Sequence, residues 1–111
     1  MHYGYIGQGN LGANCAACLL RAGLDVTVTD INKAAAATAI AEGAKWADSP
    51  AELAASVDHI ITCLPSPTVS QAVAAQMLPA MRTGAHWIEM STLGRDEVLA
   101  FAADAAKHNV R

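Results

Sequence analysis

Short apolar segments recur along the chain, separated by turn residues, and most have the composition of a β-strand. HYGYI from residue 2, DVTVTD from residue 25 and HWIEMST from residue 86 contain the β-branched and aromatic residues that favour strands. VDHIITCLP from residue 57 is almost continuously apolar, which is typical of a strand buried on both faces of a sheet. AKWA from residue 44 predicts a further, brief strand.

The segments between these strands have helical periodicity. The first predicted helix begins at Asn10 and ends before Gly23, a typical residue after a helix C-terminus. Its expected buried face, read from the spacing, consists of Leu11, Cys15, Cys18, Leu19 and Ala22. Helices are also predicted over KAAAATAIAEG, SPAELAAS, TVSQAVAAQML and RDEVLAFAADAAKHN. In SPAELAAS, Ser49 is the expected N-cap, Pro50 the first helical residue and Glu52 the partner of Ser49 in a capping box.

Strands and helices alternate along the whole chain, which predicts right-handed βαβ units and a parallel sheet. The expected fold class is therefore α/β, a doubly wound Rossmann-type sheet. Such sheets often have six strands in the order 3-2-1-4-5-6. The last residues, NVR from residue 109, have the pattern of a strand that is only beginning. We expect the sheet to be truncated at the start of strand six.

Charge and hydropathy exclude several classes of partner. The net charge is −3 and there is no basic run, so we expect no nucleic acid to bind, because phosphate contacts need clustered Lys and Arg. No apolar stretch approaches the ~20 residues of a membrane span, and we expect no membrane association. No secretory signal is evident after Met1. The expected location is cytoplasmic.

The cysteines and histidines do not predict a metal site. Three cysteines are an odd number and indicate no disulfide framework. Cys15 and Cys18 form a C-x-x-C, which suits either a redox or metal pair or two small residues on the buried face of a helix. We favour the helix interpretation because no second ligand pair has zinc-site spacing. The histidines have no ligand spacing either, and we interpret all four as structural or surface residues: His2, His59, His86 and His108.

Three glycines carry the clearest functional signal. Gly7, Gly9 and Gly12 have G-x-G-x-x-G spacing, directly after the first strand and at the start of the first helix. In a dinucleotide-binding unit the first glycine makes the tight turn, the second lets the backbone approach a pyrophosphate, and the third lets helix and strand pack closely. The N–H groups at the helix start attract the phosphates. The motif therefore predicts dinucleotide binding.

Asp30 ends the second predicted strand, close to the ~20-residue spacing at which an acidic residue binds the ribose hydroxyls. It could also serve as an N-cap, and the two roles are compatible. Its carboxylate would repel a 2′-phosphate, and Lys33 is the only cation nearby. We therefore expect NAD rather than NADP as the cofactor.

Two further segments lie at the expected carboxyl edge of the sheet. CLPSP follows the fourth strand, where Ser66 or Thr68 could cap a helix. EMST ends the fifth strand, where Ser91 and Thr92 could cap a helix or donate hydrogen bonds to a ligand. We place no lysine, histidine or carboxylate at this edge other than Asp30, so we expect no catalytic residue in the chain.

The sequence resembles the N-terminal domain of the β-hydroxyacid dehydrogenases, a family that includes 3-hydroxyisobutyrate dehydrogenase, tartronate semialdehyde reductase and 6-phosphogluconate dehydrogenase. GYIGQGNLG resembles the family's opening motif. VTVTDIN, EGAKWADSPAEL, DHIITCLPSPTVSQAV and GAHWIEMSTLGRDEV follow in the family's order. The resemblance covers essentially the whole chain.

The resemblance implies a role for each matching residue. The pyrophosphate would bind at Gly7, Gly9, Asn10, Leu11 and Gly12. The adenosine ribose would bind at Asp30, Ile31 and Asn32. The adenine and ribose side of the cofactor would be lined by Leu64, Pro65 and Ser66. The nicotinamide and the substrate would be approached by Ser91 and Thr92.

The resemblance also implies an enzymatic activity for which residues 1–111 would not supply all the necessary groups. The family continues into a substrate loop, a catalytic lysine and a helical domain, so we expect this chain to be the NAD-binding Rossmann domain of a longer enzyme and inactive alone. The enzyme would transfer a hydride between NAD and a small β-hydroxyacid, as a homo-oligomer. Two alternatives are an imine reductase-like enzyme and an NAD(H)-sensing regulatory module without catalysis.

Overall fold

A computed structural model describes residues 2–7, 10–30, 33–64, 66–91 and 94–110. Within these ranges the strands are β1 (His2–Ile6), β2 (Asp25–Thr29), β3 (Lys45–Trp46), β4 (His59–Thr62) and β5 (His86–Glu89). The helices are α1 (Asn10–Arg21), α2 (Ala37–Ala41), α3 (Pro50–Ser56), α4 (Pro67–Met77) and α5 (Arg95–Lys107). A 3₁₀ turn, Lys33–Ala36, precedes α2, and another, Leu78–Ala80, follows α4.

The described strands form one parallel sheet in the order β3-β2-β1-β4-β5. The chain builds outward from β1 to β2 and β3 on one side, then crosses over to β4 and β5 on the other. This is the doubly wound arrangement, and the predicted α/β Rossmann-type fold is confirmed. The register places Ile6 beside Thr29 on one side and beside Thr62 on the other.

The central strands β1 and β4 are buried on both faces of the sheet, which explains their apolar sequences, whereas Ile88 of the edge strand β5 is exposed. Neighbouring residues of one strand point to opposite sides, so Tyr5 packs with α1 and α2 while Ile6 packs with α3, α4 and α5. In β4, Ile61 lies on the same face of the sheet as Tyr5, and Ile60 lies on the same face as Ile6. Much of the helical surface against the sheet is alanine, which lets the helices approach closely.

The buried face of α1 differs from the predicted one. Ala16 and Ala17 are buried, whereas Cys18 is exposed and Cys15 is half-buried. The interpretation of Cys18 as a buried helix residue is therefore wrong, because the contact of α1 with the sheet is centred on the small side chain of Ala16. All three cysteines are free.

The predicted helix signals are largely confirmed. Ser49 Oγ accepts a hydrogen bond from the Glu52 backbone N–H at 3.1 Å, and Pro50 is the first residue of α3. The Glu52 carboxylate accepts from the backbone N–H of Asp48 at 3.0 Å, one residue before the position that the capping box predicts. One N–H group at the N-terminus of α3 is thus bonded to the Ser49 side chain, and the Glu52 side chain bonds back to the loop that precedes the helix.

The end of the chain is not a strand where it is described. Asn109 follows α5 with φ of 57°, the left-handed conformation that ends many helices. Its carbonyl accepts a hydrogen bond from the Gly84 backbone N–H at 2.7 Å. Val110 is buried against the core beside Phe101 and Ala105.

Candidate functional site

Strands β2, β1, β4 and β5 end at one edge of the sheet. Backbone hydrogen bonds continue one residue past their ends, from Gly7 N to Thr29 O at 3.2 Å, from Cys63 N to Ile6 O at 3.1 Å and from Met90 N to Thr62 O at 2.8 Å. The direction of chain crossover reverses between β1 and β4. Ligands of doubly wound proteins bind in the crevice outside this point.

Gly7 makes the turn from β1 towards α1. It is buried, has φ of 100°, and a Cβ at this position would overlap the carbonyl oxygen of Cys63. Only glycine fits such a position without strain. The turn therefore packs closely against the backbone at the end of β4.

Helix α1 begins at Asn10, three residues after Gly7, so its N-terminus opens at the same edge. Leu11 and Gly12 lie in its first turn, which contains no acidic residue. Backbone N–H groups without a helical partner, together with the helix dipole, favour an anion here. Gly9, the second glycine of the motif, lies outside the described residues.

Asp30 follows β2 directly and is half-buried. Because Thr29 is in register with Ile6, Asp30 emerges beside the Gly7 turn. A carboxylate here can accept hydrogen bonds from ribose hydroxyls. The two other predicted ribose-binding residues, Ile31 and Asn32, lie outside the described residues.

The segments after β4 and β5 are joined by a hydrogen bond in which the Leu64 backbone N–H donates to Ser91 Oγ at 2.7 Å. Ser66 is the N-cap of α4, with its Oγ accepting from the Val69 N–H at 3.2 Å. The structure thus brings Leu64, Ser66 and Ser91 to the same edge as Gly7 and Asp30. Pro65 and Thr92 lie outside the described residues.

Glu89 is a residue of this edge that we did not predict. We expected Asp30 to be the only carboxylate here, and that is wrong, because Glu89 ends β5 opposite Thr62 of β4. Its carboxylate accepts from Thr62 Oγ1 at 2.8 Å and from the Ser91 backbone N–H at 2.6 Å. The signal in the sequence was the segment EMST, in which Glu89 precedes Ser91 by two residues.

Tyr5, Cys15 and Cys63 lie beneath the Gly7 turn. Burial raises the pKa of the Cys63 thiol, and the neighbouring Cys15 and Glu89 raise it further. Burial also raises the pKa of the Tyr5 hydroxyl, with Cys15 as the second cause. Both groups are therefore protonated at neutral pH, and neither is an activated nucleophile.

The histidines of the sheet lie at the opposite, amino-terminal edge. His59 and His86 stack with ring centroids 4.9 Å apart, and their Nδ1 atoms are separated by 3.1 Å. His2 Nδ1 lies 2.6 Å from the Asp25 carboxylate.

Among the described residues, no three His, Cys, Asp or Glu side chains cluster as metal ligands would. Nor is any described helix both long and apolar enough to cross a membrane.

Together, the buried glycine turn, the helix N-terminus and the aspartate after β2 define a dinucleotide-binding α/β domain. Residues 2–111 match the model of a family described as the NAD binding domain of 6-phosphogluconate dehydrogenase. The chain belongs to this family, and the predicted resemblance to β-hydroxyacid dehydrogenases is confirmed.

Three similar proteins illustrate this relationship. The mitochondrial 3-hydroxyisobutyrate dehydrogenase of Drosophila melanogaster is 35% identical over 96 residues, covering 86% of this chain and 30% of that protein. The Mycobacterium tuberculosis 3-hydroxyisobutyrate dehydrogenase structure with L-serine is 31% identical with a TM-score of 0.94, covering 98% of this chain and 38% of that one. An imine reductase structure from Pseudomonas sp. is 29% identical with a TM-score of 0.91, covering 98% and 38%. The chain thus spans about a third of the length of these proteins.

Proposed function

We propose that this chain is the NAD-binding domain, residues 1–111, of a dehydrogenase that acts on a small β-hydroxyacid. The observation that carries the proposal is the buried Gly7 turn, which leads into the N-terminus of α1 beside Asp30 at the crevice. The hydroxyacid substrate is supported by similarity to dehydrogenases whose names include 3-hydroxyisobutyrate. A homo-oligomeric, cytoplasmic enzyme that binds neither nucleic acid nor membrane is part of the same proposal.

Different residues at this edge of the sheet bind different parts of the cofactor. The pyrophosphate binds at the glycine turn and the first turn of α1, through Gly7, Gly9, Asn10, Leu11 and Gly12. The ribose of the adenosine half binds at Asp30, Ile31 and Asn32. Leu64, Pro65 and Ser66 line this half, and Ser91 and Thr92 approach the nicotinamide and substrate.

When bound, the nicotinamide supplies the hydride acceptor or donor, which no protein side chain can provide. The chain's own contribution is to bind and orient the cofactor. We assign no catalytic acid or base to this chain. Cys63 and Tyr5 remain protonated beneath the site, and each carboxylate oxygen of Glu89 accepts a hydrogen bond from the protein.

Asp30 sets the preference for NAD over NADP in this proposal. Its carboxylate accepts hydrogen bonds from the ribose hydroxyls, and it would face the negative charge of a 2′-phosphate. Titration calorimetry with NADH and NADPH tests this directly. We expect NADH to bind more tightly, and Asp30→Ala to narrow the difference by about 1–3 kcal/mol, as for the loss of a charge-assisted hydrogen bond.

Asp104→Ala is the matched control, since Asp104 is an exposed carboxylate in α5, where it pairs with Lys107. It should leave both affinities unchanged. Equal binding of the two cofactors by the unaltered protein, or tighter binding of NADPH, would overturn the role of Asp30. Failure to bind either would overturn the proposed function.

An imine reductase is the second candidate, favoured by the 29% identity with the Pseudomonas sp. structure. Both enzymes would use the same cofactor edge, so only turnover separates them. The longer protein should be assayed with 3-hydroxyisobutyrate, serine and glycerate, and with a cyclic imine. Cofactor binding without turnover of either class would favour a nucleotide-sensing module.

A further inference from the structure

A continuous chain of hydrogen bonds crosses the ends of β4 and β5. Trp87 Nε1 donates to Thr62 Oγ1 at 2.9 Å, and Thr62 Oγ1 lies 2.8 Å from Glu89 Oε2. The backbone N–H of Ser91 donates to Glu89 Oε1 at 2.6 Å. The backbone N–H of Leu64 donates to Ser91 Oγ at 2.7 Å. These bonds link five residues in or directly after the two strands, with the Glu89 carboxylate at the centre: Trp87, Thr62, Glu89, Ser91 and Leu64.

The chemistry of the groups fixes the direction of every bond in this chain. An indole N–H can only donate, so Thr62 Oγ1 accepts from Trp87 and gives its single proton to Glu89. A backbone N–H also only donates, so Ser91 gives its proton to the other oxygen of Glu89. Both carboxylate oxygens are acceptors, which suits an ionised glutamate.

Glu89 has no ion-pair partner among the residues that the structure describes. Its carboxylate instead accepts hydrogen bonds from the Thr62 hydroxyl and the Ser91 backbone N–H. Thr62 is completely buried, and Glu89 itself is half-buried. Hydrogen bonds to a charge in such surroundings are stronger than those in water. The arrangement therefore fixes the backbone at Ser91.

The last bond of the chain determines what the Ser91 hydroxyl can do. Because Ser91 Oγ accepts from the Leu64 N–H, its own proton is left to donate, and no acceptor for it lies among the described residues. This hydroxyl sits at the carboxyl edge, between the segments that follow β4 and β5. It is therefore a hydrogen-bond donor available to a ligand at this edge.

We propose that Glu89 is a positioning residue that fixes Ser91 as a hydrogen-bond donor to the nicotinamide half of the bound dinucleotide. This inference rests on the proposed function, because it assumes that the dinucleotide occupies this edge. Glu89 acts through Ser91 and does not itself touch the cofactor. The adenosine half, at Asp30 and the glycine turn, is independent of it.

Two substitutions of Glu89 separate its hydrogen-bonding pattern from its size. Glu89→Met keeps the approximate length but removes both acceptor oxygens, so neither the Thr62 hydroxyl nor the Ser91 N–H has an acceptor at this position. Glu89→Asp keeps both acceptors and the charge but is one methylene shorter. We expect Asp to retain more function than Met. Glu42→Gln is the control, since Glu42 is exposed and pairs with Arg21 at the far end of α1.

Calorimetry with NADH and with ADP, which lacks both the nicotinamide and its ribose, tests the inference. We expect Glu89→Met to weaken NADH binding about tenfold, as for one hydrogen bond to a charged group, and to change ADP binding by less than about twofold. Ser91→Ala, which leaves Glu89 in place, should show the same selective loss. Equal affinity of wild type and Glu89→Met for NADH, or equal weakening of both ligands, would overturn the positioning role.

Amide hydrogen exchange measured by NMR provides a test that needs no ligand. The Ser91 and Leu64 amides should be protected in the wild type. Glu89→Met should lose protection at Ser91, and Ser91→Ala should lose it at Leu64, with the rest of the sheet unchanged. Rapid exchange of both amides in the wild type would overturn the inference. A wild type that binds neither ligand but shows these protections would overturn the proposed function alone.

Discussion

The carbonyl oxygen of Cys63 occupies the space into which a side chain at Gly7 would project. The two residues follow neighbouring strands, and the Cys63 backbone N–H bonds to the Ile6 carbonyl at 3.1 Å. The glycine turn is therefore held against the end of β4 by backbone, which cannot yield as a flexible side chain can. This contact ties the first glycine of the motif to the fold.

Gly7→Ala should destabilise the protein for two separate reasons. Its φ of 100° is unfavourable for alanine by about 1–2 kcal/mol, and overlap with the Cys63 carbonyl adds about 1–3 kcal/mol. Gly43→Ala is the matched control, since Gly43 has φ of 107° with nothing near its Cβ position. Urea denaturation should show a clearly larger loss for Gly7→Ala. Equal losses would mean that the turn relaxes away from Cys63.

Asn109 should respond in opposite ways to two substitutions. Its φ of 57° lies in the left-handed region, where glycine is unstrained and alanine is unfavourable by about 1–2 kcal/mol. Asn109→Gly should leave stability unchanged or raise it slightly, and Asn109→Ala should lower it by about 1 kcal/mol. The hydrogen bond from Gly84 involves only backbone atoms and remains in both variants. Thermal unfolding measures the difference, and a stabilising alanine would contradict this account.

Asp58 should make stability depend on pH in the acid range. The His2 backbone N–H, and then the Arg82 side chain, hold the pKa of its carboxyl below its ordinary value of 3.8. A lowered folded-state pKa stabilises the protein fully above the unfolded-state value, and this stabilisation is lost as pH falls through the lower folded-state value.

The difference in unfolding free energy between wild type and Asp58→Asn should therefore be constant from pH 7 to about pH 5 and shrink as the pH falls below 3.8 through the lower folded-state pKa. Urea denaturation at a series of pH values measures it. Arg82→Gln removes the second partner, whose guanidinium lies 3.1 Å from the carboxylate, and should produce a smaller change. A difference that grows on acidification would contradict the prediction.

The cysteines should react with iodoacetamide at different rates. Cys18 is exposed, whereas Cys63 is half-buried and burial raises the pKa of its thiol. Only the thiolate reacts, so at pH 8 Cys63 should be modified at least about tenfold more slowly than Cys18. Peptide mass spectrometry follows each site. In urea the two rates should converge, and a fast reaction of Cys63 in the folded protein would show that its thiol is activated.

Local sequence signals predicted most of the secondary structure. The strand at HYGYI and the Ser49 cap of α3 each depend on residues within a few positions of one another. The helix predicted over KAAAATAIAEG begins as a 3₁₀ turn before α2, a local detail that alanine-rich helical propensity does not distinguish. The spacing of Gly7, Gly9 and Gly12 and the position of Asp30 after a strand predicted the dinucleotide class for the same reason.

Periodicity alone misplaced the buried face of α1. Hydrophobicity does not distinguish well between alanine and cysteine, and the helix approaches the sheet over Ala16, which leaves Cys18 exposed. Which face of α1 is buried depends on how closely the helix packs against the sheet. The sequence of the helix alone does not specify the distance between helix and sheet.

The sequence by itself determined the order of strands and helices, the doubly wound class and the glycine turn, because these follow from local conformational preferences and from the alternation of strand and helix. Only the tertiary structure decided that Glu89 meets Thr62 across 27 positions, that Ser91 meets Leu64, and that Cys63 closes over Gly7. The physical reason is register. Parallel strands are joined by crossovers, so which side chains meet at their ends depends on how the helices pack and on the hydrogen bonds between strands.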